Sequence, residues 1–522
     1  MNKNPFLLSS SAPMAHGKDE TTFSISDQSA PPAAKRWNSY AFVCSTMASM
    51  ASVLLGYDIG VMSGAAIFIQ EDFKISDLQV EILVGIISLY SILGSIAAGR
   101  TSDWIGRRYT MGIAAAFFLV GAVLMGLATN YAFLMFGRFF AGVGTGFAGL
   151  IAPVYTAEIS PASSRGCYTT FPEIFINVGI LLGYVSNFAF SKLPTNLSWR
   201  LMLGVGLIPS IGLVIIVLVM PESPRWLVMK GRIEEAKRVL DKTSLSIQES
   251  QQRLLDIKNA AGTDDVNAVV PVSTPHKQGR SVWKELFIHP TPSVRHILIA
   301  ALGLHFFQQA SGSDSVVLYS PRIFEKAGIT SSDHKLLATI AVGIVKGSFI
   351  LVATFLLDRV GRRPLILTSV AGQTISLVIL GISLTIINNS EVKVKWAIVL
   401  CITTVLSNMA FFSIGLGPMA PVYTSEIFPL RLRALGVSVS VTLNRIVSGV
   451  VAMTFLSLYH ALTIGGAFFL YAGIAAVSWL FFFLVFPETR GQNLEDIEAL
   501  FGNFPWRSKK NKDAAMEVEL EG

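Results

Sequence analysis

The chain has 522 residues, of which 52% are hydrophobic and 14% charged, and its mean hydropathy is +0.56. Soluble domains carry about 25% charged residues, so the composition excludes an ordinary soluble protein and indicates a membrane protein. The net charge is +7, and three widely separated cysteines, Cys44, Cys167 and Cys401, exclude a disulfide framework and a metal cluster. No metal and no cofactor is expected.

The chain begins with a tail and continues as a series of apolar runs. Residues 1–38 are polar and Ser-rich, without the basic and then apolar order of a signal peptide, and predict a disordered tail. Twelve runs after this tail are long enough to span a bilayer. They lie near 39–68, 80–99, 109–128, 131–154, 167–190, 199–220, 296–323, 336–357, 364–387, 396–424, 434–459 and 465–486. The sequence therefore predicts an all-α membrane protein with twelve transmembrane helices.

The runs divide the chain into domains around one long loop. We predict six-helix bundles at 39–220 and 296–486, separated by the loop 221–295 and followed by a tail at 487–522. Within the loop, apolar residues recur at helical spacing among charges, which predicts short amphipathic helices on the membrane surface.

The basic residues set the orientation. Segments on the side of the termini hold 30 Lys and Arg, the opposite side holds 8, and the remaining three of the 41 lie inside spans. The positive-inside rule therefore places both termini in the cytosol. Since the basic excess is topological, no nucleic-acid partner is expected.

The two halves contain an internal repeat. Asp58 in GYD and Asp314 in GSD are 256 residues apart, and Glu158 and Glu426 in the PVYT-[AS]-EI segments are 268 apart. The Gly-Ser-Asp stretch can also break the helix of the seventh span. Duplicated six-helix halves are the architecture of transporters that rock two bundles about a site near the bilayer midplane. The repeat therefore predicts a transporter.

Acids and arginines recur at the cytosolic helix ends of both halves. They are Asp103, Arg107, Arg108, Glu158, Arg165, Glu222, Arg225, Asp358, Arg362, Arg363, Glu426 and Arg433. We predict an inner gate in which ion pairs lock the halves together. The pairs are Asp103 with Arg107 and Arg108, Glu158 with Arg165, Asp358 with Arg362 and Arg363, Glu426 with Arg433, and Glu222 with Arg225. The alternative is that these residues only anchor helix ends and follow the positive-inside rule.

Six ionisable side chains are assigned to the interior of the spans, where charges are costly and therefore functional candidates. They are Asp58, Glu173, Asp314, Arg138, Lys346 and Arg445. At about 1.5 Å per residue, Asp58 lies about 15 Å and Arg138 about 10 Å deep, so the two side chains can meet. The pair predicts a proton switch, because protonation of the carboxylate releases the arginine; the alternative is a purely structural ion pair.

Six motifs carry a resemblance to a known family. They are GRTSDWIGRR (99–108), DRVGRRP (358–364), PESPRWL (221–227), PETRG (487–491), GRFFAGVGTG (137–146) and QQASGSDSVVLYS (308–320). The chain resembles the sugar porter family of the major facilitator superfamily, and within it is most similar to plant polyol/monosaccharide proton symporters. This resemblance implies that Asp58 and Arg138 are the proton-coupling pair.

The resemblance also implies a substrate site, which departs from the hexose pattern. Gln308, Gln309 and Asn444 match the family's amides, whereas Glu173, Asp314 and Lys346 replace amides, and Pro421 and Arg445 replace tryptophans. A charged site without those aromatic platforms favours linear polyols, which have no flat ring face. The alternative is that the charges pair among themselves in an ordinary monosaccharide site.

The sequence leaves three classes of function to compare. An enzyme needs a nucleophile–base or metal cluster, and a sugar sensor usually carries long cytosolic extensions; the sequence offers neither. We therefore predict a monomeric proton symporter in the plasma membrane, with contacts to lipid, that imports polyols, monosaccharides or both. A proton-coupled hexose or pentose transporter and an uncoupled sugar facilitator stay open as alternatives.

Overall fold

The computed structural model describes residues 38–161, 164–261, 286–288, 290–390, 394–489 and 501. The predicted disordered tail, apart from residue 38, and nearly all of the predicted tail at 487–522 lie outside these residues. All twelve predicted spans and the amphipathic stretch of the central loop fall within the described ranges.

Among its described residues, the first half of the chain forms eight helices in six spans. They are α1 (Ser39–Phe73), α2 (Asp77–Ile105), α3 (Arg107–Gly126), α4 (Tyr131–Ile159), α5 (Arg165–Tyr168), α6 (Phe171–Phe190), α7 (Thr195–Gly204) and α8 (Leu207–Val219). Side chains cap the N-termini of several of these helices. Asn38 accepts a hydrogen bond from the Ala41 amide at the start of α1, and Ser76 and Gln79 form a capping box at the start of α2.

The central loop and the second half have the same helical character. The loop carries α9 (Pro224–Met229), α10 (Ile233–Thr243) and α11 (Ile247–Ala261), which confirms short helices there. The second half consists of α12 (Pro292–Ala310), α13 (Ser313–Lys326), α14 (Ser332–Val360), α15 (Arg362–Asn389), α16 (Lys395–Ile414), α17 (Leu416–Ile427), α18 (Leu430–Leu462) and α19 (Ile464–Val485).

Eleven helical stretches among the described residues are long and apolar enough to cross a membrane. The predicted seventh span is the exception, because it is divided into α12, of 19 residues, and α13, of 14 residues. The break falls at Ser311 and Gly312, where Gly312 adopts a positive φ of 78°. The twelve-helix fold is thus present, and the helix of the seventh span is broken immediately before Asp314.

The bundle has two faces. The loop face is the side on which α1 begins and α9–α11 lie, since Asn38 donates to the carbonyl groups of Lys242 and Ser244 at the end of α10. The far face is the side on which α1 ends and α2 begins.

Candidate functional site

Asp58 of α1 and Arg138 of α4 form a buried ion pair. Arg138 Nη1 lies 2.8 Å from both carboxylate oxygens of Asp58, and the arginine and aspartate side chains are 1% and 8% exposed, respectively. The same guanidinium donates to the backbone carbonyl groups of Leu83 (3.1 Å) and Val84 (3.3 Å) on α2. The predicted contact is confirmed, and Arg138 is held in place by α2 independently of Asp58.

Three amide side chains gather between α12 and α18. Asn444 Nδ2 donates to Gln308 Oε1 at 2.7 Å, and Gln309 Nε2 donates to Asn444 Oδ1 at 3.2 Å. Gln308 also donates to the carbonyl groups of Leu416 and Gly417 at the bend between α16 and α17. Gln309 Oε1 is buried without a hydrogen-bond partner, so this cluster holds an acceptor suited to a ligand hydroxyl.

Four charged side chains lie beside this cluster without pairing. Glu173, Asp314, Lys346 and Arg445 act on one another electrostatically, yet among the described residues none of the four forms an ion pair within 4.0 Å. Asp314 instead accepts a hydrogen bond of 2.6 Å from Ser448. The Lys346 ammonium lies 5.8 Å from the centre of the Phe412 ring. The sequence left open that these four charges pair with one another, and in the described structure they do not.

The first half has a compact charge network at the loop face. Arg107 contacts Glu158 through Nε (3.0 Å) and Nη2 (3.1 Å), and Asp103 through Nη1 (3.3 Å). The backbone amides of Arg107 (2.9 Å) and Arg108 (3.2 Å) donate to Glu222. Burial raises the pKa of the Glu222 carboxyl, although these amides oppose the shift.

The second half repeats this network. Arg362 Nη2 lies 2.9 Å from Glu426, and the amides of Arg362 and Arg363 each donate to Glu488 at 3.0 Å. The preceding glycines, Gly106 and Gly361, have φ of 103° and 102°, a conformation that turns these amides toward the glutamate and that favours glycine. Glu488 was not predicted, although the Pro-Glu dipeptide of PESPR and PETRG signals it.

Of the predicted gate pairs, Asp103 with Arg107 is observed at 3.3 Å, whereas others differ. Glu158 pairs with Arg107, and Glu426 pairs with Arg362 rather than with Arg433, which donates to the Phe428 carbonyl at 3.2 Å. The reason is that α17 ends at Ile427, so a spacing of seven residues from Glu426 no longer means two helical turns.

Four further members of the predicted gate lie outside the ion pairs among the described residues. Arg225 is exposed, and the Glu222 carboxylate accepts backbone amides instead of pairing with it. The guanidinium groups of Arg108 and Arg363 donate to backbone carbonyl groups at the ends of α8 and α19. The side chains of Arg165 and Asp358 lie outside the described residues. The observed pairs join helices of one half, so in this conformation they do not lock the halves together.

Contacts between the halves cluster toward the far face. They are Arg322 to Asp77 (3.2 Å), His460 to Asp77 (3.1 Å), Ser457 to Glu81 (2.7 and 2.6 Å), Tyr184 to the Val317 carbonyl (2.9 Å), Lys192 to Asp333 (3.6 Å) and Ser88 to Ser448 (3.4 Å). Among the described residues, no hydrogen bond between the halves lies nearer the loop face than Ser88 and Ser448. The far face is therefore closed.

Sequence reasoning missed these far-face residues. Glu81 is fully buried, but it lies one residue inside the predicted second span and resembles a helix-end charge. Its partner Ser457 is 376 residues away, and no local pattern signals such a contact.

The loop-face network supports a prediction. The side chains of Arg107 and Glu158 are already only 8% and 10% exposed, and we expect closure of the loop face to bring the other half against them, which makes Glu158 without Arg107 most costly in that state. Arg107→Ala and Glu158→Gln should therefore shift the equilibrium about ten- to hundredfold toward the state closed at the far face, and slow turnover. Labelling of single cysteines in the loop-face cavity, together with uptake, measures this.

The matched control is Arg232→Ala, which breaks an exposed pair with Glu235 on the same side of the bundle. It should leave labelling and uptake unchanged. Wild-type labelling and uptake in both network variants would show that the network only anchors helix ends.

Comparison with known proteins extends these observations. The pattern of the family described as "Sugar (and other) transporter" matches residues 44–501. Polyol transporter 5 of Arabidopsis thaliana is 62% identical over 477 residues, covering 91% of this chain and 88% of that protein. Putative polyol transporter 1 of the same plant is 61% identical over 496 residues, covering 94% of this chain and 97% of that protein.

A solved structure is similar in fold. It is that of the major facilitator superfamily proton:xylose symporter XylE bound to 6-bromo-6-deoxy-D-glucose, with a TM-score of 0.73 and 26% identity. The similarity covers 89% of this chain and all of that one, so it includes both six-helix halves.

Proposed function

This chain belongs to the sugar transporter family of the major facilitator superfamily, and on that premise we propose that it imports linear polyols or monosaccharides together with a proton. The two polyol transporters that are 61–62% identical to it support polyols as substrates. The proton:xylose symporter with the same fold supports coupling. Transport proceeds by alternating access, in which the two halves close one face while the other opens.

The Asp58–Arg138 pair carries the coupling proposal. The carboxylate is buried and its cation is anchored to α2 by two further hydrogen bonds. When Asp58 takes up a proton, the attraction to Arg138 is lost while Arg138 stays on α2, so α1 is free to move relative to α2 and α4. One proton thereby changes the packing of three helices. An uncoupled facilitator has no need of this pair.

The substrate site combines the amide cluster with the four unpaired charges. Gln308, Gln309 and Asn444 present hydrogen-bond donors and acceptors, and Lys346 lies over Phe412 near the bend that holds Gln308. Charged groups without a mutual partner are available for ligand hydroxyls, with which they form stronger hydrogen bonds than amides do. A flexible polyol can bend to reach several of these groups at once, whereas a rigid pyranose cannot.

The orientation and location complete the proposal. The positive-inside rule predicts that the loop face lies in the cytosol, because 30 of the 41 basic residues are on that side. On this orientation the closed far face is the outer one. The transporter works as a monomer in the plasma membrane. A fluorescent fusion in plant cells and protease protection of tagged termini test the location and the orientation.

The direct test is uptake of radiolabelled sorbitol, inositol, glucose and xylose in yeast, with and without a protonophore. Polyol uptake that accumulates above equilibrium and collapses with the protonophore supports the proposal. Equal, protonophore-resistant entry of hexoses alone would favour the uncoupled facilitator.

Selectivity gives a second prediction. Asp314→Asn and Lys346→Asn each replace a charged hydrogen-bonding group by an amide, and each should lower linear polyol uptake about five- to tenfold more than hexose uptake. Because the two side chains form no ion pair in the structure, the effects should multiply in the double variant. Competition assays with sorbitol and glucose measure the ratio.

Two outcomes decide between this site and a structural role for the charges. Rescue of uptake in the double variant would mean that the two side chains pair during the cycle. Proportional loss of polyol and hexose uptake in every variant would remove the physical support for polyols.

A further inference from the structure

The two halves meet along one face of α2 and one face of α18. Glu81, Gly85 and Ser88 share a face of α2, since they are four and three residues apart. Glu81 contacts Ser457, Ser88 contacts Ser448, and between them a Cβ at Gly85 would lie 2.5 Å from Met453 Cγ. The three contacts, here called the α2–α18 zipper, run from the far face to the level of Asp314.

Glu81 is the outer end of the zipper. Its side chain is fully buried, with Oε1 accepting the Ser457 amide at 2.7 Å and Oε2 accepting the Ser457 hydroxyl at 2.6 Å. No cation among the described residues forms an ion pair with it within 4.0 Å. Two donors from the other half therefore satisfy this buried carboxyl group, and they do so only while the far face is closed.

Ser448 is the inner end. Its hydroxyl donates to Asp314 Oδ2 at 2.6 Å and lies 3.4 Å from the Ser88 hydroxyl of the other half. Because its single hydrogen is used on Asp314, Ser88 must be the donor to Ser448. A chain of two hydrogen bonds thus runs from α2 of the first half through α18 to Asp314 on α13.

We propose that Ser448 is a positioning residue that couples Asp314 to closure of the far face. Glu81, at the outer end of the zipper, stabilises the closed state. This proposal depends on the proposed function in one respect only, namely that the substrate binds to Asp314. Closing the far face brings Ser88 to Ser448 and orients the Ser448 hydroxyl toward Asp314. A substrate that binds to Asp314 changes the hydrogen bond between Ser448 and Asp314, and thereby the stability of the zipper.

The test measures the far face directly. Spin labels on Glu71→Cys and Thr330→Cys, at exposed far-face positions in opposite halves, are placed in a protein whose three native cysteines are alanine. Pulsed electron paramagnetic resonance in nanodiscs then gives the ratio of open to closed far face, with and without sorbitol. Ser448→Ala should raise that ratio about two- to tenfold, as expected for the loss of these two hydrogen bonds, and should abolish its response to sorbitol.

Matched variants separate the relay from general destabilisation. Ser440→Ala removes another buried hydroxyl of α18, one that bonds only to Gly436 of the same helix, and should behave as wild type. Ser448→Thr keeps a hydroxyl and should retain the response. Glu81→Ala should open the far face with or without sorbitol.

The decisive comparison is between Ser448→Ala and Ser440→Ala. If the two give the same distances without ligand and the same response to sorbitol, the relay is wrong. If sorbitol leaves even the wild-type distances unchanged and is not taken up, the substrate assignment fails, and the ligand-free comparison alone decides the relay.

Discussion

Asp58→Asn is expected to abolish accumulation of substrate above equilibrium while leaving exchange of substrate across the membrane. The amide has nearly the shape of the carboxyl group but carries no charge and takes up no proton, so the switch between paired and unpaired Arg138 disappears. Substrate-induced alkalinisation of the medium should vanish together with accumulation. Loading yeast with labelled sorbitol and following net uptake and counterflow separates the two processes.

The matched control for this variant is Glu71→Gln, which neutralises an exposed carboxylate near the end of the same helix. It should accumulate substrate as the wild type does. If Asp58→Asn also accumulates at wild-type levels, Asp58 is not the coupling residue, and Glu173 or Asp314 becomes the candidate.

Arg138→Leu is expected to be the most destabilising single change in the spans. It leaves Asp58 buried without its cation and two α2 carbonyl groups without their donor, and breaking a buried ion pair costs about 3–5 kcal/mol. Adding Asp58→Asn removes the unpaired charge, so the double variant should regain most of the lost stability. Thermal unfolding in detergent, monitored by fluorescence-detected size-exclusion chromatography, measures the stability of the wild type, the single variants and the double variant.

Substrate accumulation is measured for the same variants. Neither Arg138→Leu nor the double variant should accumulate substrate, because both lack the switch, whereas only the double variant should be recovered in near wild-type amounts. A double variant no more stable than Arg138→Leu would mean that the bonds from Arg138 to Leu83 and Val84, rather than the ion pair, hold these helices together.

Properties that depend on local composition were predictable from the sequence. The length of each apolar run is fixed by bilayer thickness, so the spans can be located from hydropathy alone. The Gly-Ser-Asp stretch indicated a break in the seventh span, and α12 and α13 are separated there. Asp58 and Arg138 could be matched because depth in a membrane helix is proportional to residue number.

Partner choice at the helix ends was not predictable. Spacing along the chain suggested Glu426 with Arg433, but α17 ends at Ile427, and the Gly361 turn presents Arg362 to the carboxylate instead. Once a helix ends, distance along the sequence no longer measures distance in space. Glu488 occupies in the second half the place that Glu222 occupies in the first. The shared Pro-Glu dipeptide signals this correspondence, but only the geometry of the two turns shows that each carboxylate accepts backbone amides.

Contacts between the halves depend most completely on tertiary structure. Glu81 and Ser457, or Asp77 and His460, are brought together by packing of α2 against α18 across some 380 residues of chain. The sequence determined that this protein has two six-helix halves with charges at midplane, because burial in lipid constrains every residue of a span. Whether Glu173 of the first half pairs with the charges of the second, and which face of the bundle is closed, was decided only by how the halves pack, because that packing is not encoded in any local stretch of the sequence.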